Sequence, residues 1–284
     1  MKCIHHNDMD GRSAARVVAD FEGNYNESDF FERDYSESLP YDKISENEKV
    51  YIVDYSFTVN NREKLDKILE ITDNVIWVDH HRSSIELINS YPTYKKIKGV
   101  VKEGISGAAL SYMYLHKKTF NDIPKYLKLI SDYDCWIYEF GDESRYFKCF
   151  IDSVDYKPFA EVWGELNHDT DDLLLTQYID EGRTIKRYLD YEYKRVRESQ
   201  AYELNVEGHK ALVINADGNS WLFGDEFSKY ELCMLWVYDG NIYNYSLYSD
   251  QTKSSPLDVS KIAEKYGGGG HPGASGVQSK TKIW

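Results

Sequence analysis

Val75-Ile76-Trp77-Val78-Asp79-His80-His81 is an apolar, largely β-branched run that breaks off at one carboxylate and two imidazoles. A short run of this composition, bounded by polar residues, reads as a buried strand. Open α/β sheets bind their ligands beyond the carboxyl ends of the strands, so Asp79, His80 and His81 stand where chemistry is expected. Taken alone, Asp-His-His is also what an ordinary solvated strand end looks like. The reading gains weight because two other strand-like runs end the same way.

The first is Lys2-Cys3-Ile4-His5-His6, followed by Asn7-Asp8-Met9-Asp10-Gly11; the second is Val50-Tyr51-Ile52-Val53, followed by Asp54. In an extended segment alternate residues point the same way, so His6, Asp8 and Asp10 can converge on one point. The competing reading makes Asp10 only the N-cap of a helix over Arg12–Phe21. The neighbouring His5 is an alternative to His6. A short strand is expected at Asp29–Glu32 and a helix at Asn60–Ile71, and this strand–helix rhythm predicts a parallel sheet with crossover helices.

Further along, helices are expected from Ser106 through Leu115 and over Ile123–Ile130. The second runs into Ser131-Asp132-Tyr133-Asp134, where Asp132, or in its place Asp134, offers one more acid. From Asp171 to Ser199 apolar residues recur at near-helical spacing among many charges, which predicts one long helix linking two domains. Beyond Gly208 come a strand at Ala211–Ile214 and a helix at Trp221–Tyr230. A strand pair over Leu232–Val237 and Ile242–Leu247, joined through Asp239-Gly240, precedes a last helix at Val259–Tyr266. That helix leads into Gly267–Gly276, where six of ten residues are glycine and exposed backbone N–H groups suit an anion.

Composition narrows the partners. The chain has 284 residues and a formal charge of −14, so no diffuse basic face exists to grip long nucleic acid. Cys3, Cys135, Cys149 and Cys233 are scattered with no C-x-x-C pair, against a structural zinc site or a disulfide scaffold and in keeping with a reducing, cytoplasmic setting. The longest apolar run, Leu232–Val237, is far short of a membrane span, and polar residues within the first dozen argue against a signal peptide. No P-loop or dinucleotide fingerprint occurs.

His6, Asp8, Asp10, Asp54, His80 and Asp132 form a hard, oxygen-rich donor set with two imidazoles and no thiolate, suited to Mn²⁺ or Mg²⁺. Six side chains suit two ions sharing a bridging carboxylate, for which Asp54 on the middle strand is best placed.

These motifs resemble, in order, those of the DHH phosphoesterase superfamily: His6-x-Asp8-x-Asp10-Gly11, Asp54 after a strand, Asp79-His80-His81, and Asp132. Gly268-Gly269-Gly270-His271-x-x-Ala274-x-Gly276 resembles the signature of the partner DHHA1 domain. The resemblance implies an α/β fold: a parallel-sheet DHH domain (1–140), a helical linker (141–205) and a smaller α/β DHHA1 domain (206–284), with the active site in the interdomain cleft. It implies a metal-dependent phosphoesterase with two divalent cations, most commonly Mn²⁺. His6, Asp8 and Asp54 would hold one ion, and Asp10, Asp54, His80 and Asp132 the other. Asp79 would orient its neighbouring histidine, His81 would face the phosphate, and Gly268, Gly269, Gly270 and His271 would bind the rest of the substrate.

Small members of this superfamily degrade short RNA, so the expected substrate is a short oligonucleotide or linear dinucleotide cut to mononucleotides, with no long duplex and no membrane as partner. A phosphomonoester such as 3′-phosphoadenosine 5′-phosphate, a cyclic dinucleotide, or a non-catalytic nucleotide-binding role are the alternatives, and a homodimer is left open. The pattern departs from the family at Tyr248, where an arginine is often found. Its absence removes one phosphate contact and shifts the expectation towards stacking on a base.

Overall fold

The apolar run at 75–78 feeds two cores at once. Val75 and Trp77 point into one hydrophobic cluster while Ile76 and Val78 point into another, and Val50, Ile52 against Tyr51, Val53 alternate in the same way. A strand buried on both faces needs no polar alternation, which is why these segments read as continuous apolar runs. Trp77 is fully buried and satisfies its indole by donating to the Tyr55 carbonyl at 3.2 Å. Truncating it to alanine would cost about 3–5 kcal/mol.

The computed structural model describes residues 1–284, which divide into two units, Met1–Ile185 and Lys186–Trp284. In the first, β1 (Lys2–His5), β2 (Phe30–Glu32), β3 (Val50–Val53), β4 (Val75–Asp79) and β5 (Lys98–Val101) form an all-parallel sheet in the order β2-β1-β3-β4-β5. Its helices are α1 (Met9–Glu22), α2 (Glu63–Ile71), α3 (Arg82–Ser90), α4 (Gly107–His116), α5 (Lys125–Asp134), α6 (Glu143–Ile151) and α7 (Glu161–His168). Leu65 and Ile68 of α2 and Leu87 of α3 cover one face, and α1 and α4–α7 cover the other. The sheet order reverses between β1 and β3. In doubly wound sheets that reversal opens a crevice at the carboxyl ends, and here those ends carry His6 and Asp54.

The helix α8 (Leu173–Gln200) runs across the boundary between the units, close to the expected span. The second unit holds β6 (Ala201–Val206), β7 (His209–Ile214), β8 (Leu232–Tyr238), β9 (Tyr243–Tyr248), α9 (Val259–Lys265), β10 (Gly269–His271) and β11 (Ala274–Ser279). The strands form one sheet, β10-β11-β9-β8-β7-β6, parallel between β7 and β8 and antiparallel elsewhere. The β8–β9 hairpin turns at Asp239, whose Oδ1 accepts the N–H groups of Asn241 and Ile242. α9 packs Val259, Ile262 and Ala263 onto one sheet face.

One expectation needs correction here. The helix expected at Trp221–Tyr230 is a 3₁₀ segment, Ser220–Lys229, broken at Gly224 with φ 50° and ψ −135°. The glycine-rich stretch forms a hairpin of β10 and β11 that leaves Gly269, Gly270 and His271 exposed. Its glycines have a packing reason: a Cβ at Gly268 would lie 2.0 Å from the Gly276 carbonyl oxygen. No helix is long and apolar enough to cross a membrane.

Candidate metal centre

The sequence around β1 separates two adjacent histidines by the pleat. His5 is buried in the strand, with its Nδ1 2.8 Å from the His6 carbonyl oxygen, and burial pushes its imidazole down to about 4. His6 emerges past the strand end and stacks on Tyr35 at 4.8 Å between ring centroids. Its Nδ1 is 2.8 Å from Asp8 Oδ2. The His6 alternative is therefore the one aimed at the site.

Asp8, not Asp10, is the N-cap of α1, accepting the Gly11 N–H at 2.9 Å. That leaves Asp10 inside the first turn, 1% exposed and facing the sheet edge. Its carboxylate accepts the Gly107 and Ala108 N–H groups at 2.6 and 2.9 Å. These are orphan donors of the α4 N-terminus, where an anion is favoured by the helix dipole. Each oxygen keeps a second lone pair for a further partner.

Asp54 follows β3 in a left-handed conformation, φ 50°, while its N–H still bonds the Val78 carbonyl at 2.9 Å. The side chain is 1% exposed, and neither carboxylate oxygen has a hydrogen-bond partner. Gly107 permits this placement, since a Cβ there would lie 2.5 Å from the Asp54 Cβ. Burial, and then the Asp10 and Asp8 carboxylates, push the Asp54 carboxyl well above the usual range. An orphaned buried carboxylate among like charges is costly unless something cationic completes it.

His80 Nε2 lies 3.3 Å from Asp54 Oδ1, 3.2 Å from Asp134 Oδ2 and 3.8 Å from Asp10 Oδ2. Burial opposes its charge, but Asp54, Cys135 and Asp134 outweigh that and hold the imidazole far above its usual range. His81 turns the other way. Its Nδ1 donates to Asp79 Oδ1 at 2.7 Å, and the fully buried Asp79 takes a second hydrogen bond from Ser84 Oγ. That pair fixes the ring so that Nε2 faces the Tyr35 hydroxyl at 3.4 Å.

The fourth motif differs from the first-choice reading. Asp132 is turned away from the cluster: its carboxylate accepts the N–H groups of Glu139 and Phe140, at 2.6 and 3.4 Å, and so shapes the following loop. Asp134, the alternative two residues on, faces His80, and its Oδ2 is buried with no hydrogen-bond partner. Burial and the nearby Asp10 push its carboxyl up to about 7. The terminal turn of α5 therefore presents Asp134, not Asp132.

Three overlapping groups have ligand atoms within 4.8 Å of one another: His6, Asp8 and Asp54; Asp54, His80 and His81; and His80, Asp134 and Cys135. Apart from the Cys135 thiol the donors are hard oxygens and imidazole, with both Asp54 oxygens and Asp134 Oδ2 buried and unpartnered, so the residues fit a divalent cation. Sequence reasoning missed Tyr35, Ser84, Cys135 and Gly107, which act through position rather than through a motif. In the second unit, Gly268, Gly269, Gly270 and His271 lie along the edge strand β10 and the residue before it, with Gly269, Gly270 and His271 exposed. Tyr248 is not splayed out for stacking on a ligand: its ring packs against Phe223 at 6.2 Å in the second unit's core.

No family model matches the chain. Among curated proteins, it is 26% identical over 247 residues to an uncharacterized protein of Acanthamoeba polyphaga mimivirus, covering 83% of this chain and 54% of that one. The chain thus spans about half the length of the viral relative. It is 24% identical over 298 residues to oligoribonuclease NrnB of Bacillus subtilis, covering 98% of this chain and 73% of the relative. Among solved structures, the DHH domain of PF0399, described as belonging to a family of ribosomal proteins, superposes with a TM-score of 0.58 at 15% identity, over 96% of this chain and 81% of that one. The pGpG-specific phosphodiesterase PggH of Vibrio cholerae superposes with a TM-score of 0.53 at 12% identity, over 98% of this chain and 92% of that one.

Proposed function

We propose that this chain is a metal-dependent phosphodiesterase of the DHH/DHHA1 type that hydrolyses short oligonucleotides or linear dinucleotides to mononucleotides, a reading supported by its 24% identity to an oligoribonuclease and by its fold likeness to a DHH domain. The observation that carries the reading is Asp54, a buried carboxylate without a hydrogen-bond partner, set between His6 and Asp8 on one side and Asp10, His80 and Asp134 on the other. His6, Asp8 and Asp54 would hold one divalent cation, and Asp10, Asp54, His80 and Asp134 a second, with Mn²⁺ preferred over Mg²⁺. Such cations, when bound, lower the pKa of a water and polarise phosphoryl oxygens.

The chain's own residues do the rest. Asp79 accepts the Nδ1 proton of His81 and so supports its imidazolium form, whose second proton, on Nε2, would be the one given to a phosphate oxygen or to the leaving oxygen. Ser84 keeps Asp79 from turning away. The α4 N-terminus holds Asp10 rigid, so the acid is organised before any ligand arrives. Gly268, Gly269, Gly270 and His271 are the proposed contacts to the remainder of the substrate. A short substrate is favoured by the −14 charge, and by the oligoribonuclease and dinucleotide phosphodiesterase activities that the relatives are named for.

The test is a labelled dinucleotide incubated with micromolar protein and Mn²⁺. Mononucleotide release that stops on chelation and returns with Mn²⁺ is the expected result. Faster turnover of 3′-phosphoadenosine 5′-phosphate or of a cyclic dinucleotide in the same panel would reassign the substrate while keeping the centre.

A further inference from the structure

Two residues past Asp134, the chain does something an ordinary helix end does not. Trp136 and Tyr138 both take left-handed conformations, φ 58° and 55°, a region that bulky side chains avoid and that clusters at functional sites. The loop is held there by Asp132. Its carbonyl oxygen accepts the Ile137 N–H at 3.0 Å, and its carboxylate accepts the Glu139 and Phe140 N–H groups. Tyr138 is fixed from the other side by the Arg145 guanidinium, 4.3 Å from its ring centroid.

The effect of this scaffolding is to display one ring. Of the six tryptophans, Trp136 is the one in largely open surroundings, 43% exposed, with Ile137 beside it at 51%. Trp77, Trp163 and Trp236 each donate their indole N–H to a protein oxygen, and Trp284 packs on Tyr245. Trp136 lies at most about 7 Å along the chain from Asp134, and the intervening Cys135 has its Sγ 3.8 Å from His80 Nδ1. A strained, braced, solvent-facing indole beside the residues that would seat a phosphate matches a substrate with an aromatic ring one sugar away from that phosphate.

We propose that Trp136 is a specificity-determining residue that stacks on the nucleobase adjoining the scissile phosphate. This rests on the nucleotide reading given above, and it supplies the stacking surface that Tyr248, packed on Phe223, does not. Stacking against an indole is tolerant of base identity, so the subsite would select for the presence of a base rather than for its sequence.

The experiment compares an adenylyl dinucleotide with the same dinucleotide made abasic on the side held by the indole, each abasic isomer being tried. W136A is expected to raise KM for the full dinucleotide about tenfold and to erase the preference for full over abasic substrate. W136F, which keeps a ring and the same backbone demand, should restore most of that preference. A preference that survives W136A, or activity lost equally on full and abasic substrates, would overturn the proposal.

A second readout separates this inference from the activity reading. AMP should quench the Trp136 fluorescence, taken as the difference between wild type and W136F, and ribose 5-phosphate should not. If wild-type protein cleaves no dinucleotide yet shows this quenching, the activity reading falls and the stacking subsite stands. If dinucleotide is cleaved but the difference spectrum answers only to protein concentration, Trp136 belongs to a self-association surface and the subsite falls.

Discussion

Replacing Asp54 with asparagine should make the metal-free protein more stable while destroying its response to metal. The reasoning starts from the two carboxylate oxygens, buried and without hydrogen-bond partners, in a site where the Asp8, Asp10 and Asp134 carboxylates outnumber the nearest counter-charge, the His80 imidazole 3.3 Å from Oδ1. Asparagine keeps the shape and tolerates φ 50° as well as aspartate does, so backbone strain is unchanged and what goes is an acid whose ionisation burial and the Asp10 and Asp8 carboxylates oppose. An unsatisfied buried polar group costs about 1–3 kcal/mol, and more when charged. Recovering that amount would raise the melting temperature of the first unit by about 2–12 °C in EDTA.

With metal, the order should invert. A ligand at a hundred times its Kd stabilises by about 2.7 kcal/mol, an increment that wild type gains and Asp54→Asn forfeits. Thermal melts of both proteins, with EDTA and across a Mn²⁺ titration, measure all four corners. A variant that melts below wild type in EDTA would refute the orphaned-charge argument, and one with an undiminished Mn²⁺ shift would refute the placement of Asp54 at the metal.

Three further outcomes follow from the geometry. Asp134→Asn should weaken Mn²⁺ binding in calorimetry, whereas Asp132→Asn should keep it and instead lose about 1 kcal/mol of stability, because an amide cannot accept from both Glu139 and Phe140; the opposite pairing would restore Asp132 as the ligand. Gly107→Ala should cost about 1–3 kcal/mol by overpacking and lower turnover, since the new Cβ would lie 2.5 Å from that of Asp54; wild-type stability in urea would contradict the close contact. His5, neutral in the fold with its imidazole pushed down to about 4 by burial, binds a proton more readily when unfolded. Stability is then fully present above about pH 6.5 and falls as pH drops towards 4, by about 3 kcal/mol at full protonation of the unfolded state; a His5→Gln variant with the same acid slope would show that another group is responsible.

The parallel sheet was legible because both its faces are buried. Val50–Val53 and Val75–Val78 have no polar interruptions to confuse, and each ends at an acid or imidazole. β5 was not legible, since Lys98-Gly99 dilutes the apolar signal, and neither was α3, a nine-residue helix opening on Arg82-Ser83-Ser84. α6 and α7 lie in a stretch rich in Tyr, Phe and Trp, where aromatic rings outside the buried stripe are only half-buried and blur the helical pattern. Within the site, the order of motifs pointed to His6, Asp8, Asp10, Asp54 and His80, side chains that the fold brings near one another, but spacing could not choose between Asp132 and Asp134. One helical turn decides which of two acids faces inward and which caps a loop, and that is settled by where the backbone of 137–140 goes. The glycine run can be read two ways for a related reason: glycine serves close strand packing, as at Gly268, as readily as it serves a ligand.

Asp10 carries an implication for how such a protein can decay. Its carboxylate is at once a member of the cluster and the clasp that fastens the start of α4 to α1. A descendant that abandons catalysis can shed Asp54 with profit, because that acid burdens the fold, but it cannot shed Asp10 without unfastening two helices. If the proposed activity holds, copies retired from it should therefore be recognised by an intact Asp10 beside a neutral residue at 54, and the survival of the first motif alone is no testimony that a homologue still works.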